Sequence, residues 1–224
     1  MDFRLVYNKY FRHARSYEGY LWDLNCGPIG GFEETFYDAI ILRRSEGLFI
    51  DAGACYGAWA MRASRYYSTT IAFEPHDQTY SLLKRNLQIN KIKNVIALNL
   101  ALSDRAGESS IYLYPSPGTH SIYSEHLGLK STNQTQTVQT SKLDDYSFKQ
   151  PVSMIKVDTE GAELEVLRGA MKTIRKYKPR LAIETHFPDH SGKIRLMLPQ
   201  YNWKSLSQYL WSESPDDGST GSFH

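Results

Sequence analysis

Between roughly positions 48 and 186, short apolar runs alternate with stretches of helical periodicity, and that rhythm restricts the chain to a mostly parallel α/β sheet. "LFIDAG" (48–53) reads as a buried strand running into a glycine turn, with a helix over 57–66. "TIAFEP" (70–75) is a second strand; it ends in an acid and then Pro75, a residue suited to the first turn of a helix. Through 76–90, Tyr80, Leu83 and Leu87 recur at helical spacing. "NVIALNLAL" (94–102) predicts a third strand, and 108–118 and 133–143 read as exposed strands around a Pro/Gly/Ser turn and a polar loop. "VSMIKVDTEG" (152–161) restores the buried strand. One helix follows, carrying Val166, Leu167, Ala170, Met171 and Ile174 on one face and ended by Pro179. "RLAIETH" (180–186) is the fifth strand. Right-handed crossovers between these strands give a doubly wound sheet, in which ligands sit beyond the carboxyl ends of the strands. The residues to examine are therefore 51–57, 74–76, 101–104, 158–161 and 184–188.

A length of 224 residues suits one sizeable domain, placed at 31–212, with an arm over 1–30 and a polar tail over 213–224 that is expected to fray. The arm is rich in tyrosine (Tyr7, Tyr10, Tyr17, Tyr20) and is expected to be short and helical. It is read as packing on the core or forming a homodimer contact, with a lid over the cofactor as the other reading. Trp22 and the Gly27–Gly31 stretch offer a hinge in that second case. A net charge of +2 argues against nucleic acid as the favoured partner, since phosphate binding usually shows as a concentrated basic excess. Cys26 and Cys55 are too few for a disulfide framework, and no apolar run is long enough to span a bilayer, so a cytoplasmic protein is expected.

The turn "FIDAGACYG" (49–57) discriminates among nucleotide ligands. A dinucleotide fold wants G-x-G-x-x-G, but aligned on Gly53 the middle position is Cys55 and the last is Ala58. A P-loop needs Lys-Ser/Thr after its second glycine, where Ala58 and Trp59 stand. What remains is an acid-x-Gly-x-x-x-Gly turn of Asp51, Gly53 and Gly57, suited to a ligand without phosphates but with an amino-acid end. S-adenosylmethionine is such a ligand: its ammonium would meet carbonyls and Asp51, and its carboxylate the N–H groups at the helix start. Glu74, 23 positions after Asp51 (74 − 51), ends the second strand, where a carboxylate can accept both ribose hydroxyls. The plainer alternatives are that Asp51 caps the next helix and that Glu74 is a solvated strand end.

The chain resembles the FkbM-type methyltransferases, S-adenosylmethionine-dependent enzymes of which many methylate hydroxyls on sugars or secondary metabolites. The motifs that carry the likeness are "FIDAGACYG" (49–57), "IAFEP" (71–75), "NLALSD" (99–104), "MIKVDTEGAELEVLRGA" (154–170) and "LAIETH" (181–186). It extends over roughly 33–210 and implies a class I, Rossmann-like methyltransferase fold. The resemblance implies that Asp51, Gly53, Ala54 and Gly57 hold the methionine part and Glu74 the ribose. By the same resemblance Ala101, Leu102 and Asp104 cover the adenine, Asp158 lies beside the methyl group, and "GTHSI" (118–122), with His120 and Ser121, lies on the substrate side. Cys55 departs from the family, which commonly has asparagine there, and the pattern fades after Glu184.

In-line methyl transfer asks chiefly for alignment, and a hydroxyl acceptor must also lose its proton. Candidate bases at the strand ends are Asp158, Glu160, Glu184 and His186. His186 is preferred because an ordinary imidazole titrates near neutrality. Glu163 is read as structural, at a helix start. Lys156, within an apolar run, is read as paired with an acid. Asp158, Glu160, Glu184 and His186 have the donor types for a hard cation, but no metal is expected, since Pro188 between His186 and His190 argues against a paired-ligand helix. Cys55 has no evident activating partner. The expected function is O-methylation of a sugar, glycan or small metabolite. Methylation of RNA, with Lys and Arg at 12–15 and 172–180, and a non-catalytic cofactor- or partner-binding role are the alternatives.

Overall fold

The computed structural model describes residues 14–17, 19–26, 45–115, 119–126, 129–206 and 208–216. The chain opens with β1 (Ala14–Tyr17) and β2 (Tyr20–Asp23), then β3 (Ser45–Ala52), α1 (Ala58–Ala63), β4 (Tyr67–Phe73), α2 (Asp77–Ile89) and β5 (Val95–Leu98). An excursion follows: β6 (Ala101–Leu102), β7 (Gly107–Tyr112), β8 (Glu125–His126), β9 (Leu129–Lys130) and β10 (Thr135–Ser141). The chain then gives β11 (Val152–Val157), α3 (Glu163–Arg168), α4 (Met171–Tyr177), β12 (Arg180–Glu184), α5 (His190–Met197), β13 (Lys204–Leu206) and β14 (Tyr209–Ser212).

The main sheet runs β13-β14-β12-β11-β3-β4-β5, parallel from β12 to β5, with β14 antiparallel to both of its neighbours. Order reverses between β3 and β11, which sets a ligand crevice at their carboxyl ends. Both faces of the sheet are covered. Ile50, Ile155, Leu181 and Ile183 pack on one side with Leu164, Leu167, Ile174 and Ile194 of α3 to α5. Their alternates Phe49, Met154 and Ala182 face the other way with Ala63 and Tyr67. That double burial is why the central strands read as unbroken apolar runs. Among the described residues no helix is long and apolar enough to cross a membrane.

The structure corrects four expectations. The N-terminal arm is not helical where it is described. β1 and β2 pair as an antiparallel hairpin, while 1–13 and 27–30 lie outside the described residues. Two asparagines one turn apart on α2 hold this hairpin. Asn86 Oδ1 accepts from the Asp23 N–H at 2.9 Å, and Asn90 bonds both the N–H and the C=O of Leu21 at 2.9 and 2.7 Å. Trp22, offered as a hinge, is fully buried against Ala60, Met61 and Leu83; the Gly27–Gly31 stretch is outside the described residues.

The predicted strand 94–102 is two. Asn99 donates to the carbonyls of Glu74 and Pro75, both at 3.0 Å, and turns the chain out of the main sheet. Ala101–Leu102 then join the small sheet β6-β10-β7. The single helix expected after 161 breaks at Gly169, where a Cβ would lie 1.9 Å from the Ser103 carbonyl oxygen. Asp144 caps the second piece, accepting from the N–H groups of Lys172 and Thr173 at 2.9 and 2.8 Å. Past Leu210 the chain stays in the sheet as far as Ser212, within the expected domain bounds, and 217–224 lie outside the described residues.

Candidate active site

The turn after β3 is fixed by close approach. Gly53 has φ 78, and a Cβ there would lie 1.8 Å from the Asp158 carbonyl oxygen, so only glycine lets the turn rest on the end of β11. The N–H groups of Gly53 and Ala54 both donate to the Phe73 carbonyl, at 3.0 and 2.9 Å, pinning the turn to the end of β4. The next residue, Glu74, completes the arrangement. Its Oε2 accepts from the Cys55 N–H at 2.8 Å and its Oε1 from the His76 N–H at 2.9 Å. Each oxygen keeps acceptor capacity for a further donor. Burial raises the Glu74 pKa to about 7, against the pull of the two N–H groups.

Glu74 lines a cleft of about 700 Å³, counted out to its open mouth, at the carboxyl ends of the strands. Gly53, Ala101, Leu102 and Asp158 line it too, with His76 and Leu100. Other sequence-predicted residues stand back from it. Ala54 and Gly57 shape the turn, with a 2.8 Å bond from the Gly57 N–H to the Ala54 carbonyl. Asp104 lies beyond β6, outside the cleft. Asp51 is fully buried behind the turn, where burial raises its pKa and Lys156 pulls it back. It is the direct register partner of Lys156 on the neighbouring strand, so both point to the same face. Lys156 Nζ lies 3.3 Å from Asp51 Oδ1 and 3.3 Å from Asp158 Oδ2, and it donates to the Gly53 carbonyl at 3.0 Å. The expectation that Lys156 is paired and structural matches this geometry. Burial pushes the Cys55 thiol well up, which keeps it protonated and unreactive.

Beside the cleft, the ends of β11 and β12 and the start of α3 bring four carboxylates to one imidazole. His186 Nδ1 meets Glu163 Oε1 at 2.8 Å. Its Nε2 lies 3.3 Å from Glu160 Oε2, 3.5 Å from Glu184 Oε1 and 3.8 Å from Asp158 Oδ1. Glu160 reaches inward from a left-handed backbone conformation, φ 53. The candidate catalytic residues Asp158, Glu160, Glu184 and His186 are thus brought together. Burial alone would lower the His186 pKa; hydrogen bonds to Glu163 and Glu184, and the charges of Asp158 and Glu160, outweigh it and hold the group at about 11, which favours the protonated ring. Burial and Asp158 together raise Glu184 to about 7, and its Oε1 accepts from Gln208 Nε2.

Glu163 does more than favour a helix start. It is fully buried, accepts from the Gly161 N–H at 2.8 Å and meets His190 Nδ1 at 2.7 Å as well as His186. Burial opposes its charge, but the two histidines and the N–H lower it to about 2. Of the residues expected on the substrate side, His120 lines the cleft with its ring 4.2 Å from that of His76, centroid to centroid. Its Nδ1 accepts from the Tyr114 N–H at 3.0 Å, and burial, with His76 nearby, lowers its pKa to about 4. Ser121 is buried, donates to the Glu160 carbonyl and accepts from the Tyr123 N–H at 3.2 Å.

With this geometry established, comparison with known proteins becomes decisive. Residues 51–205 match the methyltransferase FkbM domain. The chain belongs to the FkbM methyltransferase family. The FkbM chain is 31% identical over 145 residues to Methyltransferase 1 of Beauveria bassiana, covering 55% of this chain and 58% of that one. It is 32% identical over 132 residues to the hexuronic acid methyltransferase AglP of Haloferax volcanii, covering 56% and 50%. It therefore spans 58% and 50% of the length of these two relatives. A crystal structure of an FkbM methyltransferase from Methylobacillus flagellatus KT superposes with a TM-score of 0.57 at 19% identity, over 80% of this chain and 47% of that one. That likeness concerns the fold, a class I methyltransferase sheet of Rossmann type, as the motifs implied.

Sequence reading missed four contributors to the FkbM site: the anchoring role of Glu163, its second partner His190, His76 and Gln208. His76 had a local signal, since it follows Glu74 and Pro75 into a helix start. Gln208 had none, because β14 brings it to Glu184 from 24 positions away.

Proposed function

We propose that this FkbM domain uses S-adenosylmethionine to methylate a hydroxyl of a sugar, glycan or small metabolite. The observation that carries the cofactor assignment is Glu74, a carboxylate in the cleft wall beside the glycine turn, with acceptor capacity left on both oxygens. The residues fit the group. Glu74 would take the ribose hydroxyls, Ala101 and Leu102 would flank the adenine, and Gly53 would let the methionine end approach the backbone. Asp51, Ala54, Gly57 and Asp104 would act indirectly, by holding the turn and the β6 end.

When bound, S-adenosylmethionine supplies a methyl group already activated on a sulfonium. The chain then has to orient the acceptor and take one proton. Besides Glu74, Asp158 and Glu160 are carboxylates that line the cleft, and we assign the proton acceptor to one of them. Lys156 fixes Asp158, while His186 and Glu184 position the pair. The sugar class draws support from the hexuronic acid methyltransferase relative. RNA draws less: Arg175, Lys176 and Lys178 sit where α4 leads into the start of β12, at the amino edge of the parallel strands and away from the cleft.

The test is transfer of a labelled methyl group to a panel of uronic acids, neutral sugars, small hydroxylated metabolites and RNA. Labelling of a hydroxyl compound, abolished in Asp158→Asn with cofactor binding retained, is the expected result. Labelling of RNA alone, or no binding of S-adenosylhomocysteine by the folded protein, would overturn the reading.

A further inference from the structure

We propose that Asp158, Glu160 and His186 form a binding site for one divalent cation, with Glu184 beside it and Glu163 behind the histidine. His186 Nε2 and one carboxylate oxygen each from Asp158 and Glu160 all lie within 4.8 Å of one another. Ligands bonded at about 2.0–2.2 Å to one ion stand about 3–4 Å apart, so small side-chain movements bring the three into a common sphere. The ion takes the place of the proton on Nε2, and the nitrogen binds through the lone pair so released.

The surroundings are those of a held ligand rather than a solvated acidic patch. The His186 side chain is 1% exposed and aimed at the carboxylates. Its other nitrogen is fixed by the wholly buried Glu163, whose second oxygen is fixed by His190 and whose first also takes the Gly161 N–H. A buried carboxylate on the far nitrogen orients the ring and raises its basicity as a ligand, and such partners matter about 10–100-fold in metal affinity.

The sequence spacing argued against a metal because His186 and His190 cannot pair as ligands. The structure removes that objection, since His190 supports Glu163 and the remaining donors come from the ends of β11 and β12. Carboxylates with one imidazole and no thiolate suit Mn²⁺ or Mg²⁺, with Zn²⁺ as a competitor. Asp158 and Glu160 are 24% and 16% exposed, which leaves the cleft side of the ion open to an oxygen ligand.

The experiment is titration of the chelator-stripped full chain with MnCl₂, followed by electron paramagnetic resonance, with calorimetry in parallel. The expected result is one Mn²⁺ per chain showing the nuclear coupling of a single imidazole nitrogen, displaced by excess Mg²⁺ or Zn²⁺. Glu160→Gln and His186→Gln should weaken binding by at least tenfold, and His186→Gln should also erase the nitrogen coupling. Glu163→Gln should weaken it while the coupling persists, and the exposed Asp77→Asn should change nothing. Far-UV dichroism establishes that each variant is folded. Absence of binding up to millimolar Mn²⁺ and Zn²⁺, or binding without nitrogen coupling, would overturn the proposal. The readout needs no methyl acceptor, so a metal-loaded protein that transfers no methyl group would count against the proposed function alone.

Discussion

Lys156 and Gly53, 103 positions apart, are joined by a 3.0 Å hydrogen bond from Nζ to the carbonyl of the glycine turn. The same ammonium is 3.3 Å from both Asp51 and Asp158, so one buried cation ties β3, the glycine turn and a cleft carboxylate together. Lys156→Met leaves Asp51 buried without its counter-charge and is expected to cost about 3–5 kcal/mol. Urea denaturation checks this. The double variant Lys156→Met/Asp51→Asn should recover part of the loss, and a single variant of wild-type stability would show that the pair is dispensable.

Two glycines with left-handed φ separate strain from collision. At Gly107, φ 134, an added Cβ meets nothing within 4 Å, so Gly107→Ala carries only backbone strain, about 1–2 kcal/mol. At Gly53 the same change also drives a methyl group into the Asp158 carbonyl, and a loss above about 4 kcal/mol is expected. Melting temperatures of the two variants give the comparison. Equal losses would mean that the turn can back away from β11.

Glu74 links cofactor affinity to pH. Glu74→Ala should weaken S-adenosylhomocysteine binding by about 2–3 kcal/mol, roughly 30- to 150-fold. Its pKa is raised to about 7, so the group is increasingly protonated below that pH and loses acceptor strength toward the ribose hydroxyls. Affinity should then fall about tenfold between pH 8 and pH 6. Stability of the free protein has the opposite sign: the contribution of protonated Glu74 is complete below its unfolded pKa of 4.5 and is lost as pH rises through about 7. Glu74→Gln should flatten both trends. Calorimetry and denaturant titration across this range measure them, and an affinity independent of pH would remove Glu74 from contact with the ribose.

Glu163→Gln tests the two-histidine anchor. The carboxylate serves His186, His190 and the Gly161 N–H, whereas an amide accepts on one side only. One imidazole loses its partner, at about 1–3 kcal/mol. The ring-proton resonances of His186 and His190 should separate, with one of them moving toward solvent values. Unmoved resonances would show that the rings are held by other contacts.

The parts of the fold that announce themselves in sequence are those governed by local rules. β3, β4, β11 and β12 are buried on both faces and appear as plain apolar runs, and glycine positions follow from the sharpness of the turn. What escaped depends on partners far along the chain. Asn99 ends β5 by bonding the carbonyls of Glu74 and Pro75, and Gly169 breaks a helix because Ser103 lies against it. The hairpin β1-β2 needs Asn86 and Asn90, whose amides look like ordinary surface residues of an amphipathic helix. At the site, residue types at the strand ends picked out the right neighbourhood, but spacing says nothing of four carboxylates gathering around His186.

The order β13-β14-β12 has a bearing on how the molecule is made. β13 precedes β14 in the chain yet touches the sheet only through it. The hairpin β13-β14 therefore joins β12 through its second strand, the one that follows Gln208. Gln208 reaches Glu184 as that strand seats. The carboxylate cluster thus takes one of its hydrogen bonds from the residue that leads into the antiparallel part of the sheet, so site and sheet edge are one unit.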